Sequence, residues 1–348
     1  MVSAPRYSVE ALHPDDSLDE WDLLVDASPQ GSVFSRSWWL RAVCQDRFRI
    51  CTLRRGGRLV AGMPLPVSRM AGLTTTTMPP LTQTLGPVLL PSSKSTYEGR
   101  LSDEMEVLEA LVAAMPRSHI FSMHFHNSLA NWLPFYWAGY QQTTRYTYII
   151  PDLTDLNAVF SGFSHSKRGN IRKAEGLVTV HADMAPKDFY ENHKMTLRKQ
   201  GETISYSYDL FKRIHEAACQ MSGCKTFYAL DKSDNMHAAI FIIFDRRSAY
   251  YLISSIDPDY RTSGSATLLL REAITYASQY TKAFNLEGSM IKGVESSFRK
   301  LGGIQTPYFR ISKEASFPPA GLCLAIAGGL RRLWPKARTR LRTESGDT

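Results

Sequence analysis

Residues 249–266 read AYYLISSIDPDYRTSGSA, and this stretch decides how the rest of the chain is interpreted. The aromatic and β-branched residues of Ala249–Ile256 predict a buried strand that ends at Asp257-Pro258. Small residues follow, and then alanine and leucine recur at helical spacing through roughly 264–279, which predicts an amphipathic helix. The segment therefore predicts a strand, a tight loop and a helix in succession.

The start of this helix has the composition of an anion-binding site. Small side chains leave successive backbone N–H groups uncovered, and the helix dipole favours negative charge at the same end. We expect a pyrophosphate to bind there, held by Arg261, Ser263, Gly264, Ser265 and Ala266. A Gly-Ser turn that only caps the helix is the alternative.

Length and composition predict a two-domain α/β protein with mixed sheets. The chain has 348 residues, 43% of them hydrophobic and 21% charged, which suits a globular protein too long for one core. We place the first domain at 1–150, the second at 151–315 and a basic tail at 316–348.

The two halves repeat a similar order of predicted elements, which suggests an internal duplication. In the first half, a hairpin around Arg54-Arg55-Gly56-Gly57 precedes a helix at Ser102–Met115 and a strand at His119–His126. In the second half, the predicted elements are a helix at Tyr208–Met221 and strands at Thr226–Leu230, Ala238–Phe244, Ala249–Ile256, Ala283–Glu287 and Tyr308–Ile311.

The charge is concentrated at one end of the chain. Residues 331–342 carry six of the positive charges and no acid, so the formal net charge of +8 leaves only +2 on the remainder. A nearly neutral body argues against DNA, and makes a tRNA partner less expected, because nucleic-acid binding needs a broad basic surface. The apolar stretch 322–330 beside these cations fits peripheral contact with the inner face of a membrane. A solvated basic tail is the alternative.

The five cysteines and the N-terminal residues predict that disulfides, a metal site and a secretory signal are absent. No C-x-x-C occurs, so neither a disulfide framework nor a zinc site is predicted, and His124-x-His126 lacks a third ligand. We therefore expect no metal. No apolar signal-like segment follows Met1, which favours a cytoplasmic location.

The loop at 261–266 resembles the coenzyme A pyrophosphate loop, Arg/Gln-x-x-Gly-x-Gly/Ala, of the GNAT superfamily. Three further segments resemble its FemAB-like branch: 166–175 (SKRGNIRKAE), 284–290 (FNLEGSM) and 298–311 (FRKLGGIQTPYFRI). The resemblance covers about residues 7–312. It implies two tandem GNAT folds and transfer of an acyl or aminoacyl group to an amine, often on a cell-wall or polysaccharide precursor. No such loop precedes the helix at Ser102, so the first half is expected to lack a donor site.

The resemblance also implies roles for individual residues. Acetyl-coenzyme A or another acyl-coenzyme A would be the donor, with its carbonyl polarised by a backbone N–H near Ile256. Glu287 could take a proton from the acceptor ammonium, or be an acid paired with a lysine. Tyr308 could protonate the departing thiolate. Ser289 and Lys292 are further candidates for the acceptor side.

A basic run at 166–175 predicts the acceptor site. Arg168 and Arg172 share a helix face at i, i+4, with Lys167 beside them, which suits a small or nucleotide-linked acceptor carrying phosphate. Arg198 forms a second, weaker candidate. A solvated helix face is the alternative.

The sequence thus predicts an acyltransferase that uses acyl-coenzyme A. A transferase that uses aminoacyl-tRNA to build peptide bridges is the second candidate. A binding protein that kept the tandem fold without catalysis is the third.

Overall fold

The computed structural model describes residues 6–70, 72–221, 223–288 and 290–314. The helices are α1 (Asp19–Ala27), α2 (Ser37–Cys44), α3 (Tyr97–Ala114), α4 (Leu133–Trp137), α5 (Leu156–Ser161), α6 (His165–Glu175), α7 (Pro186–Lys199), α8 (Tyr208–Met221), α9 (Ser265–Ala277) and α10 (Lys292–Phe298). The strands are β1 (Ser8–Leu12), β2 (Phe48–Arg55), β3 (Arg58–Pro66), β4 (Ser68–Met70), β5 (Leu73–Thr77), β6 (Val88–Leu89), β7 (Ile120–His124), β8 (Gln141–Ile150), β9 (Thr179–Ala182), β10 (Cys224–Leu230), β11 (Met236–Phe244), β12 (Ser248–Ile256), β13 (Ala283–Asn285) and β14 (Ile304–Glu314).

The predicted α/β class with mixed sheets is confirmed. One sheet has the order β1-β2-β3-β6, and a ten-stranded sheet runs β4-β5-β7-β14-β8-β13-β12-β11-β10-β9. Each half contains two parallel strands that are joined through a helix. In the first half these elements are β5, α3 and β7, with β6 of the other sheet between β5 and α3, and in the second they are β12, α9 and β13.

The halves exchange their last strands. β14 comes from the end of the described chain, yet it lies between β7 and β8 of the first half. β8 in turn pairs with β13 of the second half. The predicted boundary at residue 150 therefore falls at the end of a strand whose two partners, β13 and β14, both come from the second half. The division into 1–150 and 151–315 stays a prediction.

Two hydrophobic cores fill the molecule. The smaller core packs α6 and α9 against one face of the second half's strands. The larger core continues from the first half onto α7, α8 and the opposite face of those strands. Phe34 of the first half contacts Tyr250 of the second edge-to-face, with ring centroids 4.8 Å apart. The two halves are consequently one packed unit along this face.

Several predicted elements differ in extent from those observed. The helix expected at Ser102 begins at Tyr97, because Thr96 caps it by accepting the N–H of Gly99. The last strand spans Ile304–Glu314 instead of four residues, because it gains two neighbours by the exchange. The strand expected to end at Glu287 ends at Asn285. Within the described residues, no helix combines the length and the apolar composition that a bilayer crossing requires.

The expectation of no disulfide was wrong. Cys219 and Cys224 are bonded, with their Cα atoms 5.0 Å apart. Cys219 lies in the last turn of α8 and Cys224 begins β10, so the bond joins two elements whose cysteines are five positions apart in sequence. A search for C-x-x-C spacing cannot find this pair.

Candidate active site

A wedge opens between two strands of the second half. β12 and β13 pair in parallel only through the partners Ser248–Ala283, Ala249–Phe284 and Tyr250–Asn285. β12 then runs on to Ile256, so its edge beyond Tyr250 has no β13 partner among the described residues. A register shift against β11 between Phe241 and Ile243 adds a bulge at this point. A bulge redirects backbone groups, which suits the expected polarisation of a donor carbonyl beside β12.

The loop that follows β12 is held by its own chain and by α7. Asp257 accepts the N–H of Asp259 at 3.0 Å, and its carbonyl accepts the N–H of Tyr260. Lys199 Nζ lies 2.7 Å from carboxylate oxygens of both Asp257 and Asp259. The path of the loop is therefore fixed before α9 begins.

Three backbone donors at the start of α9 have no partner in the described protein. Ser263 N–H and Ser265 N–H are occupied, by Tyr260 O and Ser263 Oγ. The N–H groups of Thr262, Gly264 and Ala266 make no hydrogen bond within the described residues. Alternate free donors at the positive end of a 13-residue helix fit a pyrophosphate. The residues expected to bind the donor thus form one continuous loop.

The glycine in this loop is required by packing as well as by conformation. Gly264 has φ +85°, and a Cβ there would lie 2.2 Å from the carbonyl oxygen of Asn170 in α6. Lys173, also in α6, donates from Nζ to the carbonyl of Thr262 at 2.7 Å. α6, which is the basic helix, therefore packs against residues 261–266, which are called the donor loop from here on.

A polar chain that the sequence analysis missed lies under the loop. Ser265 Oγ is 3.3 Å from His237 Nδ1, and His237 Nε2 is 3.3 Å from Asp231 Oδ2. The imidazole stacks on Tyr260, with ring centroids 3.9 Å apart. These contacts fix the first residue of α9. The sequence around the loop gives no indication of these contacts, because His237 and Asp231 lie in a different part of the chain, at the β10–β11 turn.

Glu287 occupies an unusual position beyond β13. Its backbone has φ +58°, and its N–H donates to Asn285 Oδ1 at 2.8 Å. Oε1 is buried and accepts no hydrogen bond from the described residues. Burial raises the pKa of this carboxyl well above its usual value. A buried carboxyl group whose Oε1 has no partner among the described residues can hold a proton or receive a cation.

A buried amide pair joins the two halves beside Glu287. Asn285 Nδ2 donates to Gln83 Oε1 at 2.9 Å, and Thr147 Oγ1 donates to Asn285 Oδ1 at 2.6 Å. Gln83 comes from the loop between β5 and β6 of the first half. It therefore holds the residue that positions the backbone of Glu287, another contact that the sequence analysis missed.

Tyr308 lies in the same region as Glu287. It is buried in β14 opposite Arg145 of β8, whose Nε donates to the phenolic oxygen at 3.3 Å. Burial raises the pKa of Tyr308, while the hydrogen bond and the charge of Arg145 act to lower it. The exchanged strand thus places Tyr308 opposite Arg145 of β8, and the next two residues of β8 lie against the backbone of Gly288, which follows Glu287.

The predicted acceptor residues are separated by the structure. Arg168 is turned away from Arg172, because its guanidinium donates to the carbonyls of Ser161 and Phe163. Lys167 Nζ is half-buried and donates to Ser297 Oγ at 2.7 Å. The remaining candidates, Arg172, Arg198 and Lys292, are exposed, and Ser289 lies outside the described residues.

Comparisons with known proteins agree with this geometry. Residues 161–283 match the family described as acetyltransferase (GNAT) domain. This range contains β12, the donor loop and α9. A search of curated proteins gave no match.

Solved structures share the tandem architecture at low sequence identity. The chain is similar to FemX, with a TM-score of 0.63 and 13% identity over 86% of this chain and 96% of that one. A tandem GNAT protein from the clavulanic acid biosynthesis pathway gives a TM-score of 0.52 and 10% identity, over 90% and 100% of the two chains. L-PGS from Bacillus licheniformis gives 0.50 and 12%, over 91% and 97%. At these identities the likeness establishes the fold.

Proposed function

We propose that this chain transfers an acyl group from a coenzyme A thioester to an amine acceptor, because residues 161–283 match the acetyltransferase (GNAT) domain and the fold is similar to that of a tandem GNAT protein. The observation that carries the proposal is the row of free N–H groups at Thr262, Gly264 and Ala266. Three donors spaced along one loop suit the two linked phosphates of coenzyme A.

The chain's own residues have separate tasks in this reaction. The thioester supplies an activated acyl carbon. Backbone N–H groups along the unpaired edge of β12 would polarise its carbonyl. Glu287 would first take a proton from the ammonium form of the acceptor, which frees the amine lone pair to attack the acyl carbon and form the C–N bond. As the C–S bond breaks, Tyr308 would donate its proton to the sulfur. The second proton lost by the nitrogen would return to the Tyr308 oxygen, and Glu287 would release its proton to solvent.

The acceptor is proposed to be a small or nucleotide-linked amine, such as an amino sugar of a cell-wall or polysaccharide precursor. Arg172 and Arg198 are exposed cations, and Lys292 begins α10. They would contact a phosphorylated acceptor, whereas Arg168 is engaged by backbone carbonyls.

The basic tail at 316–348 lies outside the described residues. Its composition supports contact with an anionic membrane, which co-sedimentation of full-length and truncated (1–315) chains with anionic vesicles would measure.

The decisive experiment compares two donors. The purified chain is incubated with an amine acceptor pool and either radiolabelled acetyl-coenzyme A or charged tRNA. We expect transfer from the thioester, resistant to ribonuclease. Transfer from charged tRNA alone, abolished by ribonuclease, would replace this proposal with the aminoacyl-tRNA candidate.

A further inference from the structure

Three potential metal ligands lie close together near the end of α8 and the start of β10. His215 and Cys219 share one face of α8 at i, i+4 spacing, and Cys224 begins β10. Their ligand atoms, His215 Nδ1 and the two Sγ atoms, all lie within 4.8 Å of one another. Nδ1 is 3.8 Å from Cys219 Sγ.

The imidazole is held in place by aromatic packing. It stacks on Phe241 with ring centroids 5.5 Å apart and an interplanar angle of 20°, and it meets Phe211 edge-on. This packing keeps Nδ1 directed at the sulfur atoms without a ligand present. A preformed ligand direction lowers the conformational cost of binding.

From this cluster we propose that, once its disulfide is reduced, the chain binds a soft divalent cation such as Zn²⁺ through His215, Cys219 and Cys224. Two thiolates and one imidazole are a ligand set that zinc takes, and three protein ligands leave a fourth position for water. In the structure the two sulfurs are bonded. Around a tetrahedral zinc they would stand roughly 3.8 Å apart, so reduction must precede binding.

The site is remote from the donor loop. Cys224 pairs with Ile243 at one end of β11, whereas Ile256, just before the loop, pairs with Ala238 at the other. The metal would instead tie the end of α8 to β10. α8 packs on α2 of the first half, where Arg213 Nε donates to the carbonyl of Ala42 at 3.1 Å. The cation therefore stabilises the contact between the halves and takes no part in the transfer.

The test uses Co²⁺ as a spectroscopic probe on the full-length chain. A water-soluble phosphine first reduces the disulfide, giving two thiols and the phosphine oxide with oxygen from water. Each bound cation then displaces the two thiol protons. We expect one equivalent of Co²⁺ to give the thiolate-to-cobalt charge-transfer band and tetrahedral visible bands, which Zn²⁺ should bleach. The oxidised chain should give neither.

Variants assign the bands. Cys219→Ala with Cys224→Ala should remove the charge-transfer band, and His215→Ala should weaken Co²⁺ binding at least tenfold. Cys44→Ala, at a buried free cysteine, should leave the band intact. Zn²⁺ should also raise the Tm of the reduced wild type but not of the double variant. Absence of the band in reduced wild type, or its survival in the double variant, would overturn the proposal.

Discussion

The two halves contain the same strand–helix–strand unit, yet the N-termini of the two helices are capped differently. At the start of α3, Thr96 accepts the N–H of Gly99, and Arg100 donates to the carbonyls of Lys94 and Ser95. At the start of α9, the capping residue is Gly264, which has no side chain to offer. The first terminus has a side-chain cap and carries the carboxylate of Glu98 in its first turn, which disfavours an anion. The second has neither a side-chain cap from its N-cap residue nor an acid in its first turn. Only the second terminus is therefore proposed as a donor site.

A negative charge placed in the first turn of α9 tests this difference most directly. Ala266→Glu should weaken donor binding by about 10²-fold or more, because like charges ~4 Å apart repel by about 4 kcal/mol near a protein surface. Ala266 is only half-buried, and a carboxylate in the first turn favours the helix, so folding should be preserved. Calorimetry with acetyl-coenzyme A measures the effect.

Ala266→Gln is the matched control, and it should cost less than ~10-fold. Thr96→Ala at the start of α3 should lower stability by about 1 kcal/mol and leave donor affinity unchanged. Gly264→Glu is unsuitable as a test. A Cβ at this position would collide with the backbone carbonyl of Asn170, so the variant would disturb folding as well as donor binding. Equal donor affinity in the Ala266→Glu and wild-type chains would remove the donor-loop assignment.

The carboxylate beside the wedge gives the second expected effect. Glu287→Gln should lower turnover by ~10²-fold or more while donor affinity is retained. The raised pKa of Glu287 means that the folded chain keeps a proton at this site above pH ~4.5, where the unfolded chain has lost it. Stability should therefore fall as pH rises through that window in wild type, and fall less in the variant. Chemical denaturation at several pH values measures the change in stability. Near-native turnover of the Glu287→Gln variant would show that Glu287 has only a structural role.

Gln83 tests whether the first half serves the second. Gln83→Met should lower kcat by ~10-fold and leave the donor Kd unchanged, because it removes the oxygen that accepts from Asn285. The same change made in the Glu287→Gln background should have little further effect if Gln83 acts through Glu287. Full additivity of the two effects in that double-mutant cycle would show that Gln83 acts independently.

The smallest effects concern the basic helix. Arg172→Ala should raise the acceptor KM a few-fold, more at low salt, because charge pairing is screened by ions. Arg168→Ala should instead lower stability by about 1 kcal/mol with KM unchanged, since its partners are carbonyls. A larger KM change for Arg168 than for Arg172 would contradict this division.

Local sequence was sufficient to predict the strand, the loop and the helix around residues 261–266. The strand, the loop and the helix depend on hydrophobic periodicity and on small residues at a helix start, which act over a few residues. α8 was predicted with its observed bounds for the same reason. The family profile covers this part of the chain.

Tertiary structure alone decided which side chains surround that loop. The exchange of β8 and β14 pairs Tyr308 with Arg145, and Gln83 reaches Asn285 across 202 positions. Packing against Asn170 explains Gly264, and a turn after α8 joins Cys219 to Cys224. Such contacts depend on how strands from distant parts of the chain pair. Periodicity shows which face of a strand is buried, but it does not show which neighbour the strand will have.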